Sequence, residues 1–193
     1  MQWVRAWDMA SSEEAGADYT AGVLMGRDLD TDDVYLVDVI RKQLTPMGVQ
    51  QLIVDTAFRD AARYGTVEIV LEQEPGSAGK AVVDAYSRQH LRGYYVTVER
   101  PTGPKHIRAN PVYSALEEGR IQFVFGIWNQ GLLDELEVFP GGEHDDQVDA
   151  LAYAFNRLCG PRPLGPTWVN NPKPDNVHFI HPGQVINGAT WAN

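Results

Sequence analysis

The sequence predicts an α/β domain built on a mixed sheet, with three antiparallel strands followed by parallel crossover strands and helices flanking the sheet. Three features predict it. Three β-rich runs open the chain, at residues 3–10, 19–27 and 34–42, and the glycine-free acidic run Asp28-Leu29-Asp30-Thr31-Asp32-Asp33 forms the turn between the second and third. Strand-like and helix-like segments then alternate, as crossover connections require. The length of 193 residues, 44% hydrophobic, suits one globular domain.

After the third strand, residues 45–64 read as a helix. Thr45 is its N-cap, Pro46 takes the first helical position, and Val49, Leu52, Ile53 and Ala57 recur at helical spacing. A strand at 67–73 ends at a Pro75-Gly76 break, and a helix follows at 77–91. The pattern continues with a strand at 94–99, a short helix at 110–118 stopped by Gly119, a strand-like run at 121–125, and helices at about 130–138 and 145–158. Beyond residue 159 the character changes. Six of the twelve prolines fall in the last 34 residues, with no apolar period, so 160–193 reads as an extended appendage and 1–159 as the domain.

Several function classes are excluded. A single cysteine, Cys159, rules out a disulfide framework or a cysteine-based zinc site, and its place in an apolar pattern predicts packing. The five histidines show no zinc-enzyme spacing. With neither a membrane-length apolar run nor a signal core, the chain reads as soluble and intracellular, without a membrane partner. Glu74-Pro75-Gly76-Ser77-Ala78-Gly79-Lys80-Ala81 imitates a nucleotide-binding loop, but Glu74 replaces its first glycine and Ala81 the hydroxyl that would hold a metal. ATP hydrolysis is therefore not expected.

The formal net charge of −10 argues against a nucleic-acid partner only on average, because residues 80–108 hold six basic and two acidic side chains. Lys80, at a helix start, and Lys105 and Arg108, in and after a loop at 102–105, are the candidate phosphate contacts. Arg88 and Arg92 fit a DNA-facing or a merely solvated helix face equally well.

The acids cluster at element ends. In the first strand Asp8 shares a face with Val4 and Ala6 and ends that row, while Glu72 ends the fourth strand on the face of Val70. The run His144-Asp145-Asp146-Gln147-Val148-Asp149 opens the last helix. One of Asp145, Asp146 and Asp149 is expected to cap that helix, but capping does not need all three. Strand-end carboxylates meeting a helix-start group form an all-oxygen site for hard cations, Mg²⁺ or Mn²⁺, and two such ions can activate a water and stabilise a leaving oxygen in phosphodiester cleavage.

The chain resembles the nuclease domain of the large terminase subunit of tailed bacteriophages, an RNase H-like fold related to Holliday-junction resolvases. The matching segments are Arg5-Ala6-Trp7-Asp8-Met9-Ala10, Asp18-Tyr19-Thr20-Ala21-Gly22, residues 72–80, Lys105-His106-Ile107-Arg108-Ala109 and His144-Asp145-Asp146-Gln147-Val148-Asp149-Ala150. The resemblance implies that Asp8, Glu72, Asp145 and Asp146 are catalytic and bind two Mg²⁺ or Mn²⁺ ions, and that the enzyme cuts concatemeric double-stranded viral DNA during genome packaging. Helix acids three apart, as in related resolvases, favour Asp146 with Asp149, and the two pairings stay open. The implied partners are DNA, the portal protein, the small terminase subunit and the family's ATPase motor, in the cytoplasm of an infected cell and transiently at the procapsid portal. No trace of that motor stands in the sequence, which reads as the excised nuclease domain. A resolvase-like nuclease and a non-catalytic packaging or portal-binding module are the rival readings.

Overall fold

The structure, a computed structural model, describes residues 1–10 and 19–160. Residues 11–18 and the tail beyond Gly160 lie outside the described residues. Strands β1 (Gln2–Asp8), β2 (Thr20–Arg27) and β3 (Val34–Lys42) pair antiparallel in chain order. Their sequences allow both faces to be buried. Trp3 and Trp7 stand opposite Gly26 and Gly22, and a Cβ on either glycine would meet an indole ring at 2.4 Å. The missing side chains make room for two fully buried tryptophans.

Helix α1 (Pro46–Tyr64) begins as expected, with the Thr45 hydroxyl accepting from the Gly48 amide at 3.3 Å. Strand β4 (Val67–Glu72) lies parallel to β1, and β5 (Tyr95–Glu99) lies parallel to β4. Between them runs helix α2 (Ser77–Ala85), which passes into a π-helical turn, Tyr86–His90, where the sequence predicts one regular helix. Helix α3 (Lys105–Glu117) leads to β6 (Ile121–Phe123), parallel to β3, and helices α4 (Asn129–Val138) and α5 (Asp146–Cys159) complete the domain.

The six-stranded sheet has the order β5-β4-β1-β2-β3-β6. On one face Val4, Ala6, Val23 and Val70 pack against α3, α4 and α5. On the other, Trp7, Ile69 and Leu71 pack against Val49, Ile53 and Ala57 of α1. Helix α5 buries nearly its whole first three turns, which seats its acidic start against the sheet. Cys159 is half-buried and packs on the first of these clusters.

One local prediction is corrected. Lys105 opens α3 instead of lying in a flexible loop, and α3 starts five residues before the predicted 110. Pro111 misleads, since proline favours a first helical turn, yet here it sits inside the helix. Packing against α5 overrides that preference, and the Asn156 side chain donates to the Arg108 carbonyl at 2.9 Å in the adjoining turn.

Candidate active site

Parallel pairing sets the first two acids side by side. Trp7 pairs with Leu71, so Asp8 and Glu72, one residue further on, end adjacent strands at the same edge of the sheet. Both are half-buried. Asp149, almost wholly buried at 2% exposure, comes from the first turn of α5, and Asp146 opens that helix. Burial, reinforced by the charges of Glu72, Asp149 and Asp146, holds the Asp8 carboxyl well above the usual carboxylate range, with Lys105 offsetting only part of it.

Burial likewise raises Glu72, and the nearby Tyr153 hydroxyl offsets part of the rise. Asp146 is raised by burial and then by Glu135, against the opposing charge of Arg41. Its Oδ2 is buried without a hydrogen-bond partner. These shifts share one physical origin: carboxylates withdrawn from water and crowded together, with too little positive charge to balance them.

The predicted DNA contacts divide. Lys105 Nζ lies 2.8 Å from Asp145 Oδ1 and 2.9 Å from Asp149 Oδ2. Arg108 reaches Asp149 Oδ1 at 3.0 Å and is further held by the Gly103 carbonyl at 3.2 Å. Burial alone lowers Lys105, but its hydrogen bonds to Asp145 and Asp149 outweigh that and raise it above the ordinary lysine value. Lys80 is separate. It is exposed in the first turn of α2 and takes no part in the ion pairs of the acidic cluster. The loop before α2 uses its glycines structurally: Gly76 has φ of +100°, and a Cβ on Gly79 would strike the Glu74 carbonyl at 2.3 Å. His144 meets Tyr19 edge-on at 5.0 Å between ring centroids.

The expected capping is also corrected. Asp145 holds the N-cap position of α5 but makes no side-chain capping bond. Glu135 of α4 supplies it, its Oε1 accepting from the amides of Gln147 at 2.7 Å and Val148 at 3.0 Å. Sequence reasoning missed this residue. Its signal was an acid on the apolar stripe of α4, between the buried Leu132 and Leu136. Two further charged groups were missed: Glu68, bound by Arg157 Nε at 2.7 Å, and Arg41, whose guanidinium lies 3.5 Å from the Tyr19 ring centroid.

The carboxylate oxygens suit a hard divalent cation, and the orphaned Asp146 oxygen is a donor without a partner. Among the described residues, however, no three acid, histidine or cysteine side chains form a ready-made metal cage. The ammonium of Lys105 and the guanidinium of Arg108 stand among the helix carboxylates, so the residues fit a metal in chemistry once these cations move away.

A mixed sheet of this order, with acids gathered at the ends of its central parallel strands and at the start of the helix packed across them, defines an RNase H-like domain. Residues 5–158 match the family model of the terminase RNaseH-like domain, and the chain belongs to that family. The P22 large terminase nuclease domain matches the structure with a TM-score of 0.53 and 16% identity, over 81% of this chain and 82% of its own. The nuclease domain of the bacteriophage SPP1 large terminase, solved with bound Mn, matches with a TM-score of 0.53 and 16% identity, over 81% and 86%. At that identity the likeness shows the fold. No curated protein matches the chain in sequence.

Proposed function

We propose that this domain is a two-metal-dependent endonuclease that cuts concatemeric double-stranded DNA during viral genome packaging. The observation that carries the reading is the crowding of Glu72, Asp149 and Asp146 around Asp8, a concentration of buried negative charge that the fold sustains without enough cations of its own. Asp8, Glu72, Asp146 and Asp149 are the proposed metal ligands. Asp145, which pairs with Lys105, is proposed as a supporting acid. Mg²⁺ or Mn²⁺, when bound, supplies an activated water and stabilises the leaving oxygen.

The protein's own groups do the rest. Asp8 and Glu72 are fixed by strand pairing, so one wall of the site is rigid. The start of α5 brings the opposing wall. Lys105 and Arg108 neutralise the helix acids in the structure, and on DNA they are proposed to turn toward backbone phosphates. Lys80 is proposed as an outlying phosphate contact. Such binding is non-specific in sequence and weakens with salt. The proposed partners are double-stranded DNA, the portal protein, the small terminase subunit and the ATPase motor of the family, in the infected cell's cytoplasm and at the procapsid portal.

The test is cleavage of plasmid and linear concatemeric DNA by the purified chain with Mg²⁺, Mn²⁺ or EDTA. Cutting that requires the metal and stops with EDTA is expected. Cutting unaffected by EDTA would overturn the metal-dependent reading, and preference for four-way junctions would favour a resolvase.

A further inference from the structure

We infer that Glu135 is a positioning residue of the carboxylate site, capping α5 from outside and so fixing where the aspartates of that helix stand relative to Asp8 and Glu72. The inference rests on the metal-binding reading above and adds to it a residue that lies on another helix.

A helix start leaves amides without partners, and the usual remedy is the side chain at the N-cap. Asp145 occupies that place with the right chemistry and does not use it. Instead one oxygen of Glu135, which is 6% exposed, takes both the Gln147 and the Val148 amides. The other oxygen accepts from Gln147 Nε2 at 2.7 Å, and the same Gln147 nitrogen donates to the Gly131 carbonyl at 3.2 Å. Arg41, with its Nε 3.9 Å from Glu135 Oε2, adds a compensating charge. Glu135 is therefore held from several sides, and it holds α5 in turn.

The consequence falls on the acids. A self-capped α5 would spend the carboxylate of Asp145 on its own amides. With the cap supplied from α4, Asp145 pairs with Lys105, Asp146 keeps an unpartnered buried oxygen, and Asp149 presents both oxygens to Lys105 and Arg108. Partners behind metal ligands orient them, and losing one typically lowers metal affinity by about 10–100-fold.

Two substitutions separate reach from charge. Glu135→Asp keeps the charge but is one methylene too short to meet both amides. Glu135→Gln keeps the reach and one oxygen to accept from both amides, at the cost of the bond from Gln147 Nε2, whose turning over to meet the new NH₂ would give up its bond to the Gly131 carbonyl. The measurement is Mn²⁺ affinity of the full chain by titration calorimetry, with thermal melting alongside. Glu135→Asp is expected to weaken Mn²⁺ binding by about 10-fold or more, and Glu135→Gln to weaken it clearly less. If both variants bind like the parent and only melting changes, Glu135 merely docks two helices and the inference is overturned. Equal loss in both variants overturns it as well, since the variant that keeps the reach would then fare no better than the one that loses it. If Glu135→Asp does not fold, Gln147→Met replaces it, removing the bond that orients Glu135 Oε2; unchanged affinity there overturns the inference. A parent that binds no Mn²⁺ overturns this inference together with the metal-binding reading, whereas a binding parent with an indifferent Glu135 overturns this one alone.

Discussion

Two charged regions stand three residues apart on β1 and are opposite in design. Arg5 is buried at 1% exposure and fully answered: its Nε meets Asp60 at 2.8 Å, a second nitrogen meets Asp38 at 2.8 Å, and a third donates to the Gly22 carbonyl at 3.2 Å. Burial alone would lower the Arg5 pKa, but Asp60 and Asp38 more than restore it. Asp8, on the opposite face, is crowded by like charges and pushed the other way. The first region is closed and holds β1, β3 and α1 together. The second is left electrostatically incomplete, which costs stability.

The largest expected effect breaks the closed region. Arg5→Met strands Asp60 and Asp38 without their cation, and removing one partner of a buried pair typically costs about 3–5 kcal/mol. Urea denaturation should show that loss with little change in the slope. A loss under about 1 kcal/mol would mean that the network behaves like a surface pair.

Asp8→Asn tests the open region from both sides. Cleavage should fall by at least about 100-fold, the upper end of what losing even an outer partner costs. Yet the metal-free variant should melt higher than the parent at neutral pH. The folded-state pKa of Asp8 lies above its unfolded value near about 4, so the parent loses stability as pH rises from that value through the raised one. The advantage of Asp8→Asn should therefore shrink as pH falls below the unfolded value, where both states are protonated. A gap in melting temperature that grows on acidification would contradict this sign.

Lys105→Ala probes the boundary between the two designs, since Lys105 partly balances the open region. Removing it should strengthen Mn²⁺ binding in calorimetry while weakening DNA binding. The plot of log affinity against log salt should flatten by about one unit per lost phosphate contact. Weaker Mn²⁺ binding would show that Lys105 organises the acids instead of competing for them. The smallest effect is expected from Lys80→Ala, which lies apart from the acidic cluster: a modest drop in DNA affinity with Mn²⁺ binding unchanged. An effect equal to that of Lys105→Ala would place the main DNA track along α2.

Much of this was legible in local patterns. The alternation around Trp3 and Val4, the Thr45-Pro46 helix start and the ends of β1 and β4 follow from periods of two and 3.6 and from capping chemistry, all of which act over a few residues. Those same patterns marked Asp8, Glu72 and the aspartates of α5 as acids at element ends. The extension of α3 through Pro111 was hidden because a proline's local preference gave way to packing against α5.

By itself the sequence determined the strand and helix order, with few exceptions, and the residue types available for chemistry, because hydrophobic periodicity and backbone preference are short-range. Tertiary structure alone decided which charges meet. The pairing of Arg5 with Asp60 spans 55 positions, that of Arg108 with Asp149 41, and the capping of Gln147 by Glu135 crosses from one helix to another. Coulomb and hydrogen-bond energies depend on separation and burial in space, and those quantities exist only once the sheet and helices have packed.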